Sequence, residues 1–191
     1  MKIFITRHGE SINNTLNIIG GDCKITKKGV DYGKLLGIYF KNNMEENNLT
    51  VWTSKLIRTK ETAEEFTNKY TQYKELNEID SGIFEGASLD YIKHYCPMIY
   101  KLREEDKVYN RYPQGENYID LKNRVYKLLD TIDMSQEGTL LIISHQAICR
   151  VIYSYFSKLS LYECMNIKIN LHTLYKIEDT KLIDTKLINT N

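Results

Sequence analysis

The sequence carries almost no excess charge of either sign and no long apolar run. Its 191 residues include 26 Lys and Arg against 25 Asp and Glu, for a formal net charge of +1. Nucleic-acid-binding and membrane-surface proteins are usually strongly basic, so this balance disfavours both classes. No segment approaches the ~20 apolar residues of a membrane span, and the N-terminal apolar run is too short for a signal peptide. We expect a cytoplasmic protein without a nucleic-acid or membrane partner, in which any cationic site is local.

Cysteines are few, and their spacing gives no sign of a zinc site. Cys23, Cys96, Cys149 and Cys164 form no Cys-x-x-Cys pair, so reduced thiols are expected. The sequence also lacks G-x-x-x-x-G-K-[ST], which disfavours a P-loop nucleotide site. It shows no linker, repeat or low-complexity segment. Since 42% of the residues are hydrophobic, we expect one domain with one core over residues 1–191.

Apolar runs alternate with longer amphipathic segments, which predicts an α/β fold. Strands are predicted at Lys2–Thr6, Thr50–Ser54, Tyr73–Ile79 and Gly138–Ser144, the last being the most apolar and therefore central. Helices are predicted at 26–43, 55–70, 117–132 and 146–156, with a polar helical stretch up to about Asp106. In segment 55–70 we expect Leu56, Ala63 and Phe66 to face the core. The tail, 169–189, predicts two strands joined by a turn. This order indicates a three-layer α/β/α sandwich with a mostly parallel central sheet.

Polar side chains follow three of the predicted strands. Arg7 and His8 follow the first, Ser54 and then Arg58 follow the second, and His145 follows the most apolar one. Because the carboxyl ends of parallel strands share one edge of a sheet, two histidines and two arginines should meet there. Such a cluster is costly unless an anion lies among its members, and phosphate fits arginine best. The sequence therefore predicts a phosphate site at this edge.

A histidine beneath a phosphate ester points to covalent catalysis. A neutral imidazole is a competent nucleophile toward phosphorus, and arginines can stabilise the equatorial oxygens without a metal or cofactor. The leaving alkoxide then needs a proton from a carboxylic acid. Glu78 is the best candidate because it also follows a short apolar segment, while Glu10 and Glu85 are alternatives on composition alone. Each of these residues, taken singly, also fits a structural role.

Several segments together resemble one family. "TRHGES", with Asn14 six residues after His8, resembles the signature of the histidine phosphatase (phosphoglycerate mutase-like) superfamily, and "SKLIRTKETAE", "LNEIDSG" and "SHQAICR" follow in the same order. Within the superfamily the likeness is greatest to the bisphosphatase half of 6-phosphofructo-2-kinase/fructose-2,6-bisphosphatase, as in "IIGGD", "LREEDK", "RYPQGENY" and "NLHTLYKI". The resemblance implies a phosphoglycerate mutase-like fold and metal-independent hydrolysis of fructose 2,6-bisphosphate to fructose 6-phosphate and phosphate.

The resemblance also implies a role for each matching position. His8 would take up the phosphoryl group, and Glu78 would protonate the sugar oxygen and then activate the hydrolytic water. The phosphate oxygens would be held by Arg7, Asn14, Arg58 and His145, with a backbone contact from Gly20. The sugar and its non-reacting phosphate would be held by Arg103, Lys107, Tyr118, Gln146 and Arg150. Arg103 and Lys107 are four residues apart, so on a helix they share a face.

Three features depart from the bisphosphatase pattern. The kinase half is absent, so we expect a stand-alone phosphatase. Leu89 stands where the bisphosphatases carry a tyrosine that contacts the non-reacting phosphate, and "GIFEGAS" resembles the broader phosphatases of the superfamily. A broad-specificity phosphomonoesterase therefore stays open, as do a phosphoglycerate mutase and a non-catalytic phosphate-binding regulatory module. The mutases have an "ERHYG"-like segment in place of "EIDSG", which counts against a mutase. The complete set of catalytic residues counts against the module.

Overall fold

A computed structural model describes residues 1–44, 48–178 and 180–185. The strands of these residues form one sheet and are β1 (Lys2–Arg7), β2 (Leu49–Thr53), β3 (Thr71–Gln72), β4 (Thr139–Ser144), β5 (Leu174–Glu178) and β6 (Lys181–Thr185). The helices are α1 (Ile12–Thr15), α2 (Lys27–Asn43), α3 (Ile57–Glu64), α4 (Leu89–Tyr95), α5 (Pro97–Glu105), α6 (Tyr118–Leu129), α7 (Gln146–Ser157) and α8 (Leu161–Met165). Within the described part of the chain, no helix is both long and apolar enough to cross a membrane.

The sheet has the order β3-β2-β4-β1-β5-β6. The first four of these strands run parallel, and β5 and β6 join antiparallel, so the predicted mostly parallel sheet is confirmed. β1 and β4 are neighbours, with Arg7 paired opposite Ser144. The chain therefore leaves both strands at the same edge of the sheet, and this places His8 close to His145.

Helices cover both faces of the sheet, as the alternation of side chains along β1 requires. Ile3 and Ile5 pack in one apolar cluster with residues of α6 and α7, whereas Phe4 packs in a second cluster with residues of α2 and α3. Successive side chains of a strand point to opposite faces, so a strand covered on both sides is apolar throughout. All six residues of β4 are buried for this reason. The three-layer sandwich is confirmed.

Two predictions about local structure are wrong. Residues 73–79 do not form a strand: pairing with β2 is confined to the edge strand β3 and one further bond from Tyr73, after which Lys74–Leu76 makes a 3-10 turn. Segment 55–70 is helical only over α3, so Leu56 and Phe66 lie outside the helix. Ala63 is fully buried and the half-buried Phe66 packs against the second cluster, so for these two residues the predicted core contact is confirmed. The buried residues of α3 are Arg58, Thr59, Thr62 and Ala63, because this helix packs against the site as well as the core.

The remaining element predictions agree with the structure to within a few residues. The helices predicted at 26–43, 117–132 and 146–156 correspond to α2, α6 and α7. The polar middle contains α4 and α5, and the two tail strands are β5 and β6. Residues 186–189 of the predicted tail lie outside the described residues.

Candidate active site

His8 lies in the loop directly after β1 and is 3% exposed. Its Nδ1 donates a hydrogen bond to the carbonyl oxygen of Gly9 at 2.7 Å, and its Nε2 accepts one from Nε of Arg58 at 3.1 Å. A carbonyl only accepts and a guanidinium only donates, so the ring carries its proton on Nδ1 and a lone pair on Nε2. This is the tautomer in which Nε2 can attack an electrophile.

Burial keeps the His8 ring neutral. It lowers the pKa of His8 well below the usual 6.5, and the positive charges of Arg58 and Arg7 act in the same direction, while the bond to Gly9 opposes them. Arg58 is itself buried, and a second N–H of its guanidinium donates to the carbonyl oxygen of Gly21 at 2.8 Å. A neutral nucleophile and a fixed cation therefore lie in direct contact.

The loop that carries His8 is held from three sides. The backbone N–H of Gly9 donates to Oγ1 of Thr62 on α3 at 2.9 Å, and that of Glu10 donates to Nε2 of His172 at 3.0 Å. A Cβ atom at position 9 would lie 2.5 Å from the carbonyl oxygen of Gly29 on α2, so only glycine allows this approach. His172 therefore supports the loop that carries His8.

His145 and Arg7 complete the cluster. The ring centroids of His8 and His145 are 5.2 Å apart, and Nε2 of His145 lies 2.9 Å from Oγ of Ser54. Arg7 donates to Oε1 of Gln146 at 3.0 Å and to the carbonyl oxygen of Ile169 at 3.2 Å. Among the residues that the structure describes, the buried side-chain polar atoms without a hydrogen-bond partner are Arg7 Nε and His145 Nδ1. Buried polar atoms without a hydrogen-bond partner are rare in folded proteins. The presence of two in this cluster indicates a site for a polar ligand.

The electrostatics of the cluster favour an anion. Burial lowers the pKa of Arg7 and of Arg58, and in both cases the carboxylate of Glu78 acts in the opposite direction. Burial also lowers the pKa of His145 well below its usual value, with Arg58, His8 and Arg7 adding to the effect. One carboxylate thus faces two buried guanidiniums, and a bound dianion would stabilise both.

A cavity of about 420 Å³ opens onto this cluster. The predicted site residues on its wall are Arg7, His8, Asn14, Gly20, Arg58, Glu78 and Gln146. Leu89 and Tyr112 also line it, whereas His145 is fully buried behind the wall. Glu78 is the only carboxylate among the described residues that line it. Oδ1 of Asn14 accepts hydrogen bonds from the backbone N–H and the hydroxyl of Ser11, both at 3.0 Å. The NH₂ group of Asn14 is therefore the part of that side chain left for a ligand.

The two alternative carboxylates already accept hydrogen bonds from other protein groups. Glu85 accepts hydrogen bonds from the backbone N–H and hydroxyl of Ser81 and from the backbone N–H of Gly21. Gly20 has a φ of +64°, and a Cβ there would collide with the Glu85 carboxylate, so this contact also fixes the loop. Glu10 accepts a bond from the hydroxyl of Thr26 at 2.9 Å and does not line the cavity. Glu78 is thus the carboxyl group best placed to act on a ligand.

A second cavity, of about 240 Å³, adjoins the first. The two share the residues Ile19, Glu78, Ile79, Leu89, Tyr112 and Gln146. The second cavity is also lined by the predicted residues Arg103, Lys107, Tyr118 and Arg150. With Gln146 on the shared wall, the structure therefore brings together all five side chains that the resemblance assigns to the sugar and its non-reacting phosphate.

The cationic side chains of the second cavity contact protein groups that compete only weakly with a bound anion. Arg103 donates to the carbonyl oxygen of Asn110, and Arg150 donates to the carbonyl oxygen of Ile167 at 2.9 Å and to the hydroxyl of Tyr118 at 3.4 Å. Burial raises the pKa of Tyr118 and so keeps this hydroxyl protonated. Lys107 forms an ion pair with Glu104 at 2.6 Å, and both side chains are partly exposed. An exposed pair of this kind is easily exchanged for another anion.

The sequence interpretation missed Tyr112. Its ring lines both cavities, and the guanidinium carbon of Arg103 lies 3.6 Å from the ring centroid. A tyrosine in a loop gives no periodic signal, although its position before Pro113 in "RYPQGENY" marks a rigid turn that could have drawn attention to it. Leu89 lines both cavities as well, and it has no hydrogen-bond donor to offer there.

The two buried histidines predict a loss of stability in mild acid. The unfolded chain protonates both near pH 6.5, whereas the lowered pKa values of His8 and His145 keep the folded chain from doing so. The free energy of unfolding should fall between pH 7 and pH 5, by up to about 1.4 kcal/mol per pH unit for each histidine. Urea denaturation at pH 7, 6 and 5 measures this slope.

A matched pair of variants tests whether the buried histidines cause this slope of the free energy of unfolding against pH. His145→Asn should reduce it by the share of one histidine, and His94→Gln, which replaces an exposed ring outside the site, is the control. A slope that is the same in both variants would contradict the assignment.

The mostly parallel sheet and the buried histidine between two arginines define an α/β protein with an anion site at the carboxyl edge of its sheet. The family model described as "Histidine phosphatase superfamily (branch 1)" matches residues 3–181. The chain belongs to the histidine phosphatase superfamily.

Curated relatives and a solved structure agree with this membership. The chain is 40% identical over 176 residues to the fructose-2,6-bisphosphatase of Saccharomyces cerevisiae, covering 92% of this chain and 38% of the yeast protein. It is 38% identical over 178 residues to human 6-phosphofructo-2-kinase/fructose-2,6-bisphosphatase 3, covering 92% of this chain and 33% of the human protein. This chain thus spans two fifths or less of the length of these two relatives. The α-ribazole phosphatase from Shigella flexneri has the same fold, with a TM-score of 0.83 at 18% identity over 100% of this chain and 96% of that one.

Proposed function

We propose that this chain is a metal-independent phosphatase that hydrolyses fructose 2,6-bisphosphate to fructose 6-phosphate and phosphate through a phosphohistidine on His8. One observation carries the proposal. The Nε2 lone pair of a neutral, buried His8 lies at the wall of a cavity between Arg7 and Arg58. The names of the two curated relatives support the choice of substrate.

Binding must first free the nucleophile. In the structure Nε–H of Arg58 donates to Nε2 of His8, so the lone pair is occupied. A phosphate dianion is a far stronger acceptor for a guanidinium than an imidazole nitrogen is. Arg58 would therefore turn its N–H groups to the phosphate oxygens and release Nε2 for in-line attack on phosphorus.

The two chemical steps share one acid–base group. The first step requires Glu78 in its protonated form. As Nε2 of His8 bonds to phosphorus, the P–O bond to the sugar breaks and Glu78 gives its proton to the leaving oxygen. Glu78, now a carboxylate, removes a proton from water, and the resulting hydroxide displaces Nε2 from phosphorus. The charge on the equatorial oxygens is stabilised throughout by Arg7, Arg58, the Asn14 NH₂ group and His145. Phosphate leaves, and both His8 and Glu78 return to their starting protonation states.

The second cavity would hold the non-reacting phosphate. Its cationic groups surround a space that opens directly into the first cavity, with Glu78 and Gln146 on the common wall. A substrate with two phosphates on one sugar would thus have its reacting phosphate at His8 and its second phosphate at Arg103. Leu89 on that wall supplies no hydrogen bond, and the charge of Lys107 is partly offset by Glu104. These two features favour a second candidate, a broad-specificity phosphomonoesterase.

Replacing Arg103 with alanine separates the two candidates. For fructose 2,6-bisphosphate the KM should rise by about 10–150-fold, which corresponds to the roughly 1.5–3 kcal/mol of a hydrogen bond to a charged group. For a small monophosphate, which does not reach the second cavity, the KM should be unchanged. Leu89→Tyr adds a donor to the common wall and should lower the KM for the bisphosphate. Steady-state kinetics on both substrates measures these effects.

Lys101→Ala is the matched control, since Lys101 lies on the same helix as Arg103 but is exposed and lines neither cavity. Equal effects of Arg103→Ala on both substrates would favour the broad phosphomonoesterase, as would no effect on either.

A substrate panel tests the function as a whole. Fructose 2,6-bisphosphate, other sugar phosphates, an aryl phosphate and phosphoglycerates are incubated with the protein in the presence of a strong chelator. We expect phosphate release that is fastest from fructose 2,6-bisphosphate. Similar rates on all monoesters would indicate the broad enzyme, and isomerised phosphoglycerate would indicate a mutase. Loss of activity in the chelator that Mg²⁺ or Zn²⁺ restores would contradict the metal-independent mechanism, and no turnover of any substrate would favour a binding module.

A further inference from the structure

Two buried hydroxyl groups link His145 to the backbone at the start of α3. Oγ of Ser54 lies 2.9 Å from Nε2 of His145 and 2.8 Å from Oγ1 of Thr59, and it accepts the backbone N–H of Leu56 at 3.1 Å. Oγ1 of Thr59 lies 2.9 Å from the carbonyl oxygen of Leu56 and 3.2 Å from that of Ser54. Ser54, Thr59 and His145 are all fully buried, so these contacts are shielded from water.

Either hydroxyl could be the donor in the contact between Ser54 and Thr59, and the number of protons available favours one direction. Each hydroxyl has one proton, and a carbonyl oxygen can only accept. Two carbonyl oxygens lie within hydrogen-bond distance of Oγ1 of Thr59, so the Thr59 hydroxyl donates its proton to one of them. Oγ1 of Thr59 must then accept at its contact with Ser54, which uses the only proton of the Ser54 hydroxyl. Ser54 therefore accepts from His145, and the His145 ring carries its proton on Nε2.

This tautomer leaves a lone pair on the other nitrogen of the ring. Nδ1 of His145 is buried without a hydrogen-bond partner among the described residues. The ring is neutral because burial lowers the pKa of His145 well below its usual value. A lone pair on Nδ1 repels a phosphate oxygen, so the neutral ring held by Ser54 is unable to bind the anion that the proposed function requires.

We propose that Ser54 and Thr59 are positioning residues that hold His145 with its proton on Nε2, so that an oxyanion binds at His145 only together with a proton taken up on Nδ1. The inference rests on the proposed function for the identity of the anion. The titratable and charged groups whose charges act on His145 are Arg7 at the end of β1, His8 in the next loop, Arg58 on α3 and Arg124 on α6. Since these are cationic or neutral, the bound dianion is what stabilises the imidazolium.

Tungstate is the probe, because it resembles phosphate and stays a dianion near neutral pH. Calorimetry in buffers of different ionisation enthalpy, between pH 6 and 8, gives its affinity and the protons taken up. For the unaltered protein we expect about one proton per tungstate and an affinity that falls about tenfold for each pH unit. Imidazole ¹⁵N spectra, assigned with His145→Asn, should show the His145 proton on Nε2 in the free protein and protons on both nitrogens in the complex.

Thr59→Val is the decisive variant, because it removes the acceptor for the Ser54 proton without touching His145 or the cavity. The Ser54 hydroxyl is then free to donate to Nε2, and the neutral ring carries its proton on Nδ1, where it can donate to the anion. Proton uptake should fall toward zero and the pH dependence of tungstate affinity should flatten. Thr59→Ser keeps the hydroxyl and should behave as the unaltered protein. Ser54→Ala should flatten the dependence in the same way, should Thr59→Val fail to fold.

The outcomes separate this inference from the proposed function. A proton on Nδ1 in the free protein, or the same pH dependence in Thr59→Val and Thr59→Ser, would overturn the role of the two hydroxyl groups. The tautomer is measured without ligand or turnover, so it does not depend on the substrate. Proton-coupled tungstate binding with no hydrolysis in the substrate panel would leave the inference standing and contradict the proposed function. Failure of tungstate to bind would contradict both.

Discussion

Replacing His8 with alanine should reduce turnover by at least about 10⁴-fold and remove all acid-labile phosphate from the protein. The reason is that Nε2 of His8 lies against Arg58 at the cavity wall, and alanine leaves no nucleophile at that position. Loss of a nucleophile in covalent catalysis usually costs most of the rate above the uncatalysed reaction. Brief incubation with ³²P-labelled substrate, followed by a denaturing quench at alkaline pH, measures the trapped phosphohistidine.

The control for this experiment is His94→Ala, since His94 is exposed on α4 and lines neither cavity. It should trap phosphate as the unaltered protein does. Acid-labile label on the His8→Ala protein would remove His8 from the role of nucleophile, and His145 would be tested next.

Changing Glu78 to glutamine should slow sugar phosphates by about 10²–10⁴-fold, the usual contribution of a general acid. A sugar alkoxide needs a proton to leave, whereas a nitrophenolate leaves without one. With 4-nitrophenyl phosphate the first step should therefore keep a rate near normal, visible as a burst of nitrophenolate. The steady state that follows should be slow, because Glu78 also activates the water that cleaves the phosphohistidine. Stopped-flow and steady-state rates on the two substrate types measure the difference.

Glu85→Gln serves as the comparison for Glu78→Gln. The Glu85 carboxylate joins the Gly21 backbone to Ser81, so its loss should loosen the loop without changing the dependence on the leaving group. If Glu78→Gln slows the first step equally on sugar and aryl phosphates, Glu78 is not the acid.

The sequence predicts the sheet and the convergence of the site well, for one physical reason. Parallel strands that are covered on both faces must be apolar throughout, so β4 is conspicuous, and polar residues directly after such strands must meet at one edge. This rule is sufficient to bring His8, Arg58 and His145 together. The resemblance to the histidine phosphatases adds the residues of the second cavity.

Other features depend on contacts between residues far apart in the sequence, which no local sequence pattern indicates. Residues 73–79 have the composition of a strand, but only β3 and Tyr73 reach β2, and the chain then turns to bring Glu78 to the cavity. The buried face of α3 includes Arg58 and Thr59, which a rule of apolar residues inside assigns to solvent. The tautomers of His8 and His145 are set by partners far away in the chain. Metal independence, a cytoplasmic location and a single domain over 1–191 stay predictions.

The strand order has a consequence for how the molecule is made. β1 is synthesised before the other strands, yet its two neighbours in the sheet are β4 and β5, which lie in the last third of the sequence. Until those segments leave the ribosome, β1 has two unpaired edges and an apolar surface, a combination that favours aggregation. The nascent chain is therefore in greatest need of protection from the time β1 leaves the ribosome until β4 and β5 have followed it. When β4 enters between β1 and β2, it joins the two parts of the sheet. The same event brings His145 beside His8. A chain that has not completed its sheet therefore has no assembled site.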